Sequence, residues 1–431
     1  MTDADRNRHR LVVLNPGHFH AALTLREAHS RLSDDVYVYA DDGPDVDGFL
    51  KIVSSFNQRP DRPTRWRLHV TRGPDHFDRL LAEKPGDVVI VAGRNDTKMP
   101  NIAHLHAAGF SVLGDKPWLI DESSLPLLDQ ASAGPPLAMD IMTERHSIEA
   151  QVLRALVTDA GLFGDFRIDG SEPAIEMRGV HHLHKIVNGE PLIRPRWYFD
   201  TAVQGEGIVD VTTHQIDLAQ WLVGDGSPFD YARDVDLLAA EQWPTAVPLP
   251  LFRKITGLDD FPEEVMAQVN DQSLYYACNA RLRFRLRTVP IEIESRWDLA
   301  IPDGGGDSRL VEVHGTRCRV VAANGPDTDF VSKITVRAVG DKRSTEAALR
   351  HRIDALQTEV PGLDIREEEN EFEILVPAQL MTGHEAHFSA VLDQFLKYVD
   401  NGDWPSSLAA DLTTKYSLTA RARSLSLAGG V

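Results

Sequence analysis

The sequence predicts an α/β protein in which a doubly wound, Rossmann-type parallel sheet is followed by an α+β domain with a large, mostly antiparallel sheet. Up to Arg145, short apolar runs alternate with helical patterns, as strands and crossover helices do in a parallel sheet. After Arg145, period-two alternation of apolar and polar residues dominates. The chain of 431 residues is also too long for one ordinary core. We therefore expect a dinucleotide-binding domain over residues 1–146 and a substrate-binding and oligomerisation domain over residues 147–431.

The predicted parallel sheet begins with Arg10–Gly17, an apolar strand that ends in a turn and is followed by a predicted helix over His20–Leu32. The run Asp87–Gly93 is apolar almost throughout, which is typical of a strand that helices cover on both faces. The remaining predicted elements of this domain are strands at Val36–Ala40, Phe110–Pro117 and Pro136–Met142 and a helix over Met99–Gly109.

The second domain is predicted from strands with one apolar and one polar face. Within Arg281–Arg287 arginines alternate with apolar residues, and within Pro290–Arg296 glutamates alternate with isoleucines. Such strands form antiparallel sheets that leave one face to water or to a partner, so we expect a homo-oligomer through this C-terminal sheet. The other predicted elements are strands at Val311–Ala322, Lys333–Val339 and Glu371–Pro377, a helix over Ile148–Asp159, and two C-terminal helices, one ending at Asn401 and one starting at Leu408.

Charge and composition exclude several classes of protein. The formal net charge is −20, whereas nucleic acids and anionic membranes are bound by basic surfaces. No apolar run is long enough to span a bilayer, and the polar start of the chain lacks the pattern of a secretory signal. Cys278 and Cys318 stand apart, without the spacing of a metal site or a disulfide framework. We therefore expect a cytoplasmic protein that binds neither nucleic acid nor membrane.

The turn after the first strand, Asn15–Ala21, is the predicted nucleotide site. A dinucleotide-binding turn has glycine at the first, third and sixth of these positions, and only Gly17, at the third, is present. Gly17 would let the backbone approach a pyrophosphate at the start of a helix, with His18, Phe19 and His20 beside it. A plain strand–turn–helix connection explains this segment equally well.

The second predicted strand ends at Asp41 and Asp42, where an acidic residue commonly binds the hydroxyl groups of the adenosine ribose. A carboxylate at Asp41 would repel a 2′-phosphate, which favours NAD over NADP as the cofactor. The pattern leaves NADP open, because acidic residues are common in such loops.

Two later segments resemble a known enzyme family. Residues 108–120 read AGFSVLGDKPWLI, and residues 204–224 read QGEGIVDVTTHQIDLAQWLVG. They resemble the AGxxVxxEKP and GGxxxDxxxHxxDxxxWLxG stretches of the Gfo/Idh/MocA family, which contains glucose-fructose oxidoreductase-like and inositol dehydrogenase-like enzymes. The resemblance covers essentially the whole chain, with Asp115 in place of the glutamate of the first stretch. The segments PGHFHAAL, DIMTERH and VHHLHK indicate a separate branch of that family.

The resemblance assigns Lys116, Asp210 and His214 to the catalytic centre. Oxidation of a secondary alcohol needs a base with a pKa near neutrality while hydride leaves the same carbon, and histidine suits this role. Asp210 would orient His214 or hold a substrate hydroxyl, and Lys116 would stabilise charge on the reacting oxygen. From the residues alone, a helix face packed on the core is the alternative explanation of this spacing. In the family's nucleotide loop, Asn95 is kept and Lys98 stands where a histidine is usual.

Further site residues are predicted from their chemistry and position. The predicted cofactor-binding residues are Gly17, His18, Phe19, His20, Asp41, Asn95, Lys98, Lys116 and Pro117. The predicted substrate contacts are Arg145, His182, His184, Arg196, Trp197, Tyr198 and Asp217. Guanidinium, imidazole and flat aromatic groups suit sugar hydroxyls and ring faces, although a surface loop explains Arg196–Tyr198 almost as well. We expect no metal at the histidine run His181–His184, because no nearby cysteine completes a ligand set.

The functional hypothesis is an NAD(P)-dependent oxidoreductase that transfers hydride between a nicotinamide cofactor and a secondary alcohol of a sugar, sugar acid or cyclitol. A second hypothesis keeps the cofactor but uses a transient oxidation to acidify a neighbouring C–H bond, so that elimination or glycoside cleavage follows. A third is a non-catalytic ligand sensor on the same fold. We rank the third last because the predicted catalytic lysine and histidine are both present.

Overall fold

The computed structural model describes residues 8–170, 172–187, 190–302 and 305–429. The chain forms two compact units. The first unit contains Met1–Thr143, Pro195–Gly205 and Gly383–Arg421, and the second contains Glu144–Arg194, Glu206–Thr382 and Ala422–Val431. Residues 1–7, on which the expectation of no secretory signal partly depends, lie outside the described residues.

The first unit is built on a parallel sheet. Its strands are β1 (His9–Leu14), β2 (Leu32–Ala40), β3 (Arg67–Arg72), β4 (Val88–Val91), β5 (Ser111–Gly114) and β6 (Ala138–Asp140), and its first helices are α1 (His20–Leu23), α2 (Pro44–Gln58), α3 (His76–Glu83), α4 (Asn95–Ala107) and α5 (Leu125–Ser132). The strand order is β3-β2-β1-β4-β5-β6, with all neighbours parallel. This is the order of a dinucleotide-binding Rossmann sheet, so the predicted fold class is confirmed.

The rest of the chain adds eight α-helices and twelve strands among the described residues. The helices are α6 (Ile148–Val157), α7 (Thr201–Gln204), α8 (Thr212–Val223), α9 (Tyr231–Asp234), α10 (Leu249–Thr256), α11 (Lys342–Leu356), α12 (His384–Asn401) and α13 (Leu408–Gly429). The strands are β7 (Ile175–His184), β8 (Ile186–Val187), β9 (Glu190–Pro191), β10 (Val235–Pro248), β11 (Val269–Asn270), β12 (Ser273–Leu286), β13 (Val289–Ala300), β14 (Ser308–His314), β15 (Cys318–Asn324), β16 (Lys333–Ala338), β17 (Asp364–Glu367) and β18 (Phe372–Leu375). In the part of the chain that the structure describes, no helix has both the length and the apolar character needed to cross a membrane.

The second unit is built on a large mixed sheet with the order β10-β12-β13-β7-β14-β15-β16-β18-β17, and β11 pairs with β12. Strands β13 and β7 run parallel, and the other described neighbours run antiparallel. Along β12, Leu282 and Phe284 are buried whereas Arg283 and Arg285 are exposed. The predicted antiparallel sheet with one apolar face is therefore confirmed.

One predicted strand of this sheet is wrong in its extent. The segment Val311–Ala322 reads as one alternating run, but the structure divides it between β14 and β15, which pair as a hairpin. The chain turns at Gly315, where a Cβ atom would lie 2.4 Å from the carbonyl oxygen of Phe163. Close backbone contact with another segment, rather than local alternation, therefore determines where the strand ends.

Helices cover both faces of the parallel sheet. Along β1, Leu11 and Val13 belong to one cluster of buried apolar residues, whereas Val12 and Leu14 belong to another. Helices α2 and α12 contribute to the first cluster, and α4, α5 and α13 contribute to the second. The inner strands β1, β4 and β5 therefore bury residues on both faces, as the apolar run Asp87–Gly93 predicted, whereas β3 at the edge of the sheet is largely exposed.

The helix after β1 is much shorter than the sequence predicts. Helix α1 has four residues, whereas the helical pattern continues to Leu32. Beyond α1, Trp66 Nε1 donates a hydrogen bond to the Leu25 carbonyl at 2.7 Å, and the Arg59 guanidinium donates one to the Arg26 carbonyl at 2.7 Å. A longer helix would use these carbonyls internally. Tertiary hydrogen bonds therefore replace the predicted helical ones, and α12 packs against α1.

The first unit includes two segments that follow residue 146 in the chain. The expected domain division assigned residues 195–205 and 383–421 to the second domain, and the structure places both in the first unit. The physical reason is the two-sided burial of the parallel sheet, because α12 and the first turns of α13 supply apolar side chains to its two faces. The assignment of separate functions to residues 1–146 and 147–431 stays a prediction.

Two glycines provide a matched test of packing. At Gly207 a Cβ atom would lie 2.3 Å from the Cys278 carbonyl oxygen, whereas at Gly48 in α2 nothing lies within 4 Å of it. We expect Gly207→Ala to lower the free energy of unfolding by about 3 kcal/mol through overpacking. Gly48→Ala should raise it by about 0.5–1 kcal/mol, because alanine favours a helix. Urea unfolding of both variants measures this, and a Gly207→Ala protein as stable as the wild type would contradict the packing argument.

Candidate functional site

The first part of the candidate site is the turn that follows β1. Asn15 has a left-handed backbone with φ of 46°, and the Gly17 amide donates to the Asn15 carbonyl at 2.7 Å. The His18 amide donates to the carbonyl of Ala92 at 2.8 Å, just beyond the end of β4. These bonds fix the turn against the neighbouring strand, so the positions of Gly17 and His18 are set by backbone contacts.

Two side chains lie over Gly17. A Cβ atom at Gly17 would be 2.9 Å from Asp45 Oδ2 and 3.2 Å from Trp197 Cζ2. The two side chains are joined, because Trp197 Nε1 donates to Asp45 Oδ2 at 2.9 Å, and burial raises the pKa of Asp45. Trp197, predicted to contact substrate, thus lies on the nucleotide turn. A pyrophosphate can approach the Gly17 backbone from this side only after the Asp45–Trp197 pair moves.

The carboxyl end of β2 retains the features expected of a ribose site. Asp41 follows the strand with its side chain 74% exposed and its carboxylate 3.5 Å from His76 Nδ1, and its amide donates to Asn15 Oδ1 at 3.3 Å. The next acid, Asp42, is paired with Arg72 at 2.8 Å, and Arg72 also pairs with Asp47 at 2.7 Å. Asp41 therefore presents its carboxylate to solvent beside the turn, which fits an acid that accepts hydrogen bonds from ribose hydroxyls.

A buried polar network lies at the start of α4. Lys98 is only 1% exposed, and its Nζ donates to Asn95 Oδ1 at 2.6 Å. Asn95 Nδ2 donates in turn to the Gln204 carbonyl at 2.8 Å. The structure therefore brings together two predicted cofactor residues, Asn95 and Lys98, and adds Gln204, which no sequence signal indicated.

The other predicted cofactor residues surround Asp115. The carboxylate of Asp115 lies 3.1 Å from His18 Nδ1 and 3.0 Å from His20 Nδ1. Phe19 lies between the two histidines in sequence, and its ring centroid is 4.6 Å from that of each. Lys116 follows Asp115 directly and is half-buried. The sequence indicated Asp115 only as a replacement for glutamate, so its contact with both histidines is new information from the structure.

Helix α13 holds the segment that follows Lys116. Trp118, after the buried Pro117, stacks on Tyr416 of α13 with ring centroids 5.9 Å apart. The Tyr416 hydroxyl donates to Asp140 at the end of β6 at 3.0 Å, and Lys415 pairs with the same carboxylate at 2.7 Å. All four side chains are buried, so the end of α13 that belongs to the first unit supports the strand end from which Lys116 projects.

In the second unit, Asp210 and His214 lie at the start of α8. Asp210 precedes the first residue of the helix, and its amide donates to the Glu206 carbonyl at 3.3 Å. Glu206 is buried and pairs with Arg423, whose guanidinium also reaches Glu206 Oε1 at 3.0 Å. Asp210 is buried and His214 is partly buried. Asp210 therefore lies in the turn before the helix, and His214 lies in the first turn of the helix.

The later residues of the predicted catalytic stripe contact other protein groups. Asp217 is 3% exposed and pairs with Arg145 through two hydrogen bonds, at 2.6 Å and 2.8 Å. One turn further, the guanidinium of Arg154 lies 4.9 Å from the ring centroid of Trp221. Arg145 and Asp217, both predicted to contact substrate, thus contact each other and join the segment before α6 to α8.

The histidine run on β7 gathers around an acid that sequence reasoning missed. His182 Nδ1 lies 2.9 Å and His181 Nδ1 lies 3.4 Å from the Asp307 carboxylate, which also pairs with Lys185. Burial alone would raise the pKa of Asp307, but the hydrogen bond from His181 and the charge of Lys185 hold it below its ordinary value. His181 and His182 therefore reach the same carboxylate although they are neighbours in the strand. In the sequence Asp307 follows three glycines, a pattern that carries no signal for this pairing.

The other predicted substrate residues occupy separate environments. His184 is partly buried at the end of β7. Arg196 is exposed, and Tyr198 is buried with its ring 5.2 Å from that of Phe199. Arg196 and Tyr198 belong to the first unit together with Trp197, whereas His182 and His184 belong to the second. The contact of these residues with substrate stays a prediction.

Comparison with known proteins gives a family and a fold. Residues 152–427 match the family model described as "Putative oxidoreductase C terminal domain". The crystal structure of "a putative oxidoreductase from Parabacteroides merdae" is 36% identical, covers 98% of each chain and has a TM-score of 0.94. These matches confirm the prediction of an oxidoreductase.

More distant structures share the fold. A levoglucosan dehydrogenase in complex with NADH is 14% identical, with 98% of this chain and 97% of that chain covered and a TM-score of 0.63. A 3-ketoreductase from Actinomadura kijaniata in complex with NADP and TDP-benzene is 14% identical, with 97% and 98% covered and a TM-score of 0.58. The search of curated proteins gave no match.

The contact between Arg145 and Asp217 allows a test of a structural role. We expect Arg145→Met to lower the free energy of unfolding by about 2–3 kcal/mol, because it leaves the buried Asp217 carboxylate without its guanidinium. Arg178→Met, a change at an arginine whose side chain is 60% exposed, should alter stability by less than about 0.5 kcal/mol. Urea unfolding compares the two. Unchanged stability together with a raised KM in Arg145→Met would favour substrate contact instead.

Proposed function

The chain belongs to the oxidoreductase family described as "Putative oxidoreductase C terminal domain", and we propose that it transfers hydride between NAD(P) and a secondary alcohol of a sugar, sugar acid or cyclitol. The observation that carries the proposal is the position of Lys116, two residues beyond β5 on the carboxyl edge of a Rossmann sheet. Ligands of such sheets bind at that edge. The sugar class is supported by the names of two distant neighbours, a levoglucosan dehydrogenase and a 3-ketoreductase.

Several residues of the first unit would hold the cofactor. Asp41 would accept hydrogen bonds from the adenosine ribose, since its carboxylate is exposed at the end of β2. Gly17 would lie beneath the pyrophosphate after the Asp45–Trp197 pair has moved aside. Asn95 and Lys98 would line the site from the start of α4. When bound, the nicotinamide supplies the hydride acceptor or donor.

The proposed chemistry of the protein groups follows from their types. The Lys116 ammonium donates a hydrogen bond to the reacting oxygen and stabilises negative charge there as the C–H bond breaks. The His214 imidazole accepts the hydroxyl proton, and Asp210 orients that imidazole or a substrate hydroxyl. His182, His184, Arg196 and Tyr198 remain proposed substrate contacts.

The central test is cofactor reduction by a panel of sugars, sugar acids and cyclitols, followed by absorbance of the reduced nicotinamide. We expect Lys116→Ala to lower kcat/KM by about 10³, since an oxyanion-stabilising group is lost. Lys51→Ala, an exposed lysine on α2, is the matched control and should retain activity. A Lys116→Ala enzyme as active as the control would contradict the role. Substrate consumption without accumulation of reduced cofactor would indicate the transient-oxidation route.

The acid at the end of β2 predicts cofactor preference. We expect Asp41→Ser to shift the ratio of kcat/KM for NAD over NADP towards NADP by roughly tenfold, or about 1.4 kcal/mol, because the carboxylate no longer repels a 2′-phosphate. Asp34→Ser, near the opposite end of the same strand, removes an equal charge and should leave the ratio unchanged. An equal shift in both variants would mean that net charge, not the ribose site, sets the preference.

A further inference from the structure

We propose that His18, His20 and Asp115 form a binding site for one divalent transition-metal ion, with Zn²⁺ as the representative. This inference goes beyond the proposed function: His18 and His20 are predicted to lie beside the cofactor, but hydride transfer assigns no chemical role to these two imidazoles or to Asp115. Sequence reasoning weighed a metal only at the run His181–His184. The tertiary structure gathers a different set of ligands, with two imidazoles and one carboxylate from the first unit.

The spacing of the donor atoms matches a common ion. His18 Nδ1 lies 3.1 Å from Asp115 Oδ2, and His20 Nδ1 lies 3.0 Å from Asp115 Oδ1. One ligand atom from each residue lies within 4.8 Å of the other two. Nitrogen and oxygen ligands at about 2.0–2.2 Å from one zinc ion lie about 3–3.5 Å from each other. The donors can therefore close on an ion through small side-chain shifts.

The three ligands are held by the ends of neighbouring strands. His18 follows β1 and is fixed by the bond from its amide to the Ala92 carbonyl at 2.8 Å. His20 is the first residue of α1. Asp115 follows β5, and its amide donates to the Val91 carbonyl of β4 at 2.7 Å. Because β1, β4 and β5 are adjacent in the sheet, the backbone brings the ligands together before any ion binds.

The burial of the cluster also suits a metal. Asp115 is 2% exposed and His20 is 7% exposed. Buried charged groups in proteins are paired or coordinate metals. A bound ion, held by the imidazoles in their neutral form and by the carboxylate in its ionised form, would meet this requirement.

The surroundings of the cluster define the type of ion. Imidazole together with carboxylate suits zinc, iron and related ions better than calcium or magnesium, which prefer oxygen ligands alone. A third imidazole lies near the cluster, because the ring centroid of His384 is 6.4 Å from that of His20. Lys116 places a positive charge next to the site, so we expect a dissociation constant on the order of micromolar rather than that of a closed structural site.

The test uses the full chain after removal of metals with EDTA, with no nucleotide or sugar present. Isothermal titration with ZnCl₂ should show one ion per chain, and His18→Ala and Asp115→Asn should weaken binding at least about tenfold. The matched control is His69→Ala, which disrupts another histidine–aspartate pair, at 2.9 Å from Asp35, outside the cluster. It should bind Zn²⁺ like the wild type. Titration with Co²⁺ should give visible ligand-field bands that His18→Ala lacks.

Folding is controlled by circular dichroism of each metal-free variant, and the His18 side chain, 18% exposed, is the ligand whose removal is least disruptive. Zn²⁺ should raise the Tm of the wild type and of His69→Ala but not that of His18→Ala. The proposal is overturned if the wild type binds no stoichiometric ion, or if His18→Ala binds as tightly as the wild type. Because the assay omits cofactor and substrate, its failure is distinguishable from failure of hydride transfer.

Discussion

Burial of the parallel sheet on both faces is the constraint on which the first unit depends. Residues 11–14 of β1 and all of β4 expose almost nothing to water, so each face needs a layer of helices. Helix α1 is too short to cover its part, and α12 packs there, while the first turns of α13 join α4 and α5 on the other face. The same C-terminal helix then supplies Lys415 and Tyr416, which hold Asp140 and Trp118 next to the segment that carries Lys116.

The turn after β1 has the backbone position of a dinucleotide-binding turn but carries side chains that such turns usually lack. The turn follows the first strand of a sheet that has the strand order of a dinucleotide-binding domain. Asp41 lies where an acidic residue that binds the adenosine ribose is expected. Above Gly17, however, lies a carboxylate bonded to an indole, and the following histidines face a second buried carboxylate. A site with two acids near the turn favours cations more than a glycine-rich phosphate turn does. The same turn thus combines the backbone position of a nucleotide site with acidic and imidazole side chains that suit a cation.

In the second unit, paired charges add to the apolar burial of α8 in locating the predicted catalytic residues. Glu206 and Arg423 secure the turn that carries Asp210, and Arg145 and Asp217 secure α8 one turn beyond His214. Buried pairs of this kind contribute little net stability, but removing one partner is costly because the other charge remains buried. They therefore fix the orientation of α8, and with it the position of the His214 imidazole.

The sequence by itself determined the fold class, most strands and the positions of Lys116, Asp210 and His214 along the chain, because hydrophobic periodicity and short segments are local properties. It did not determine the length of α1, the turn at Gly315, or the placement of α12 and α13 against the parallel sheet. It also could not show that Asp115 faces His18 and His20, that Asp307 faces His181 and His182, or that Arg145 pairs with Asp217. These contacts join residues far apart in the chain, and only the packing of strands and helices in three dimensions brings such groups within hydrogen-bonding distance.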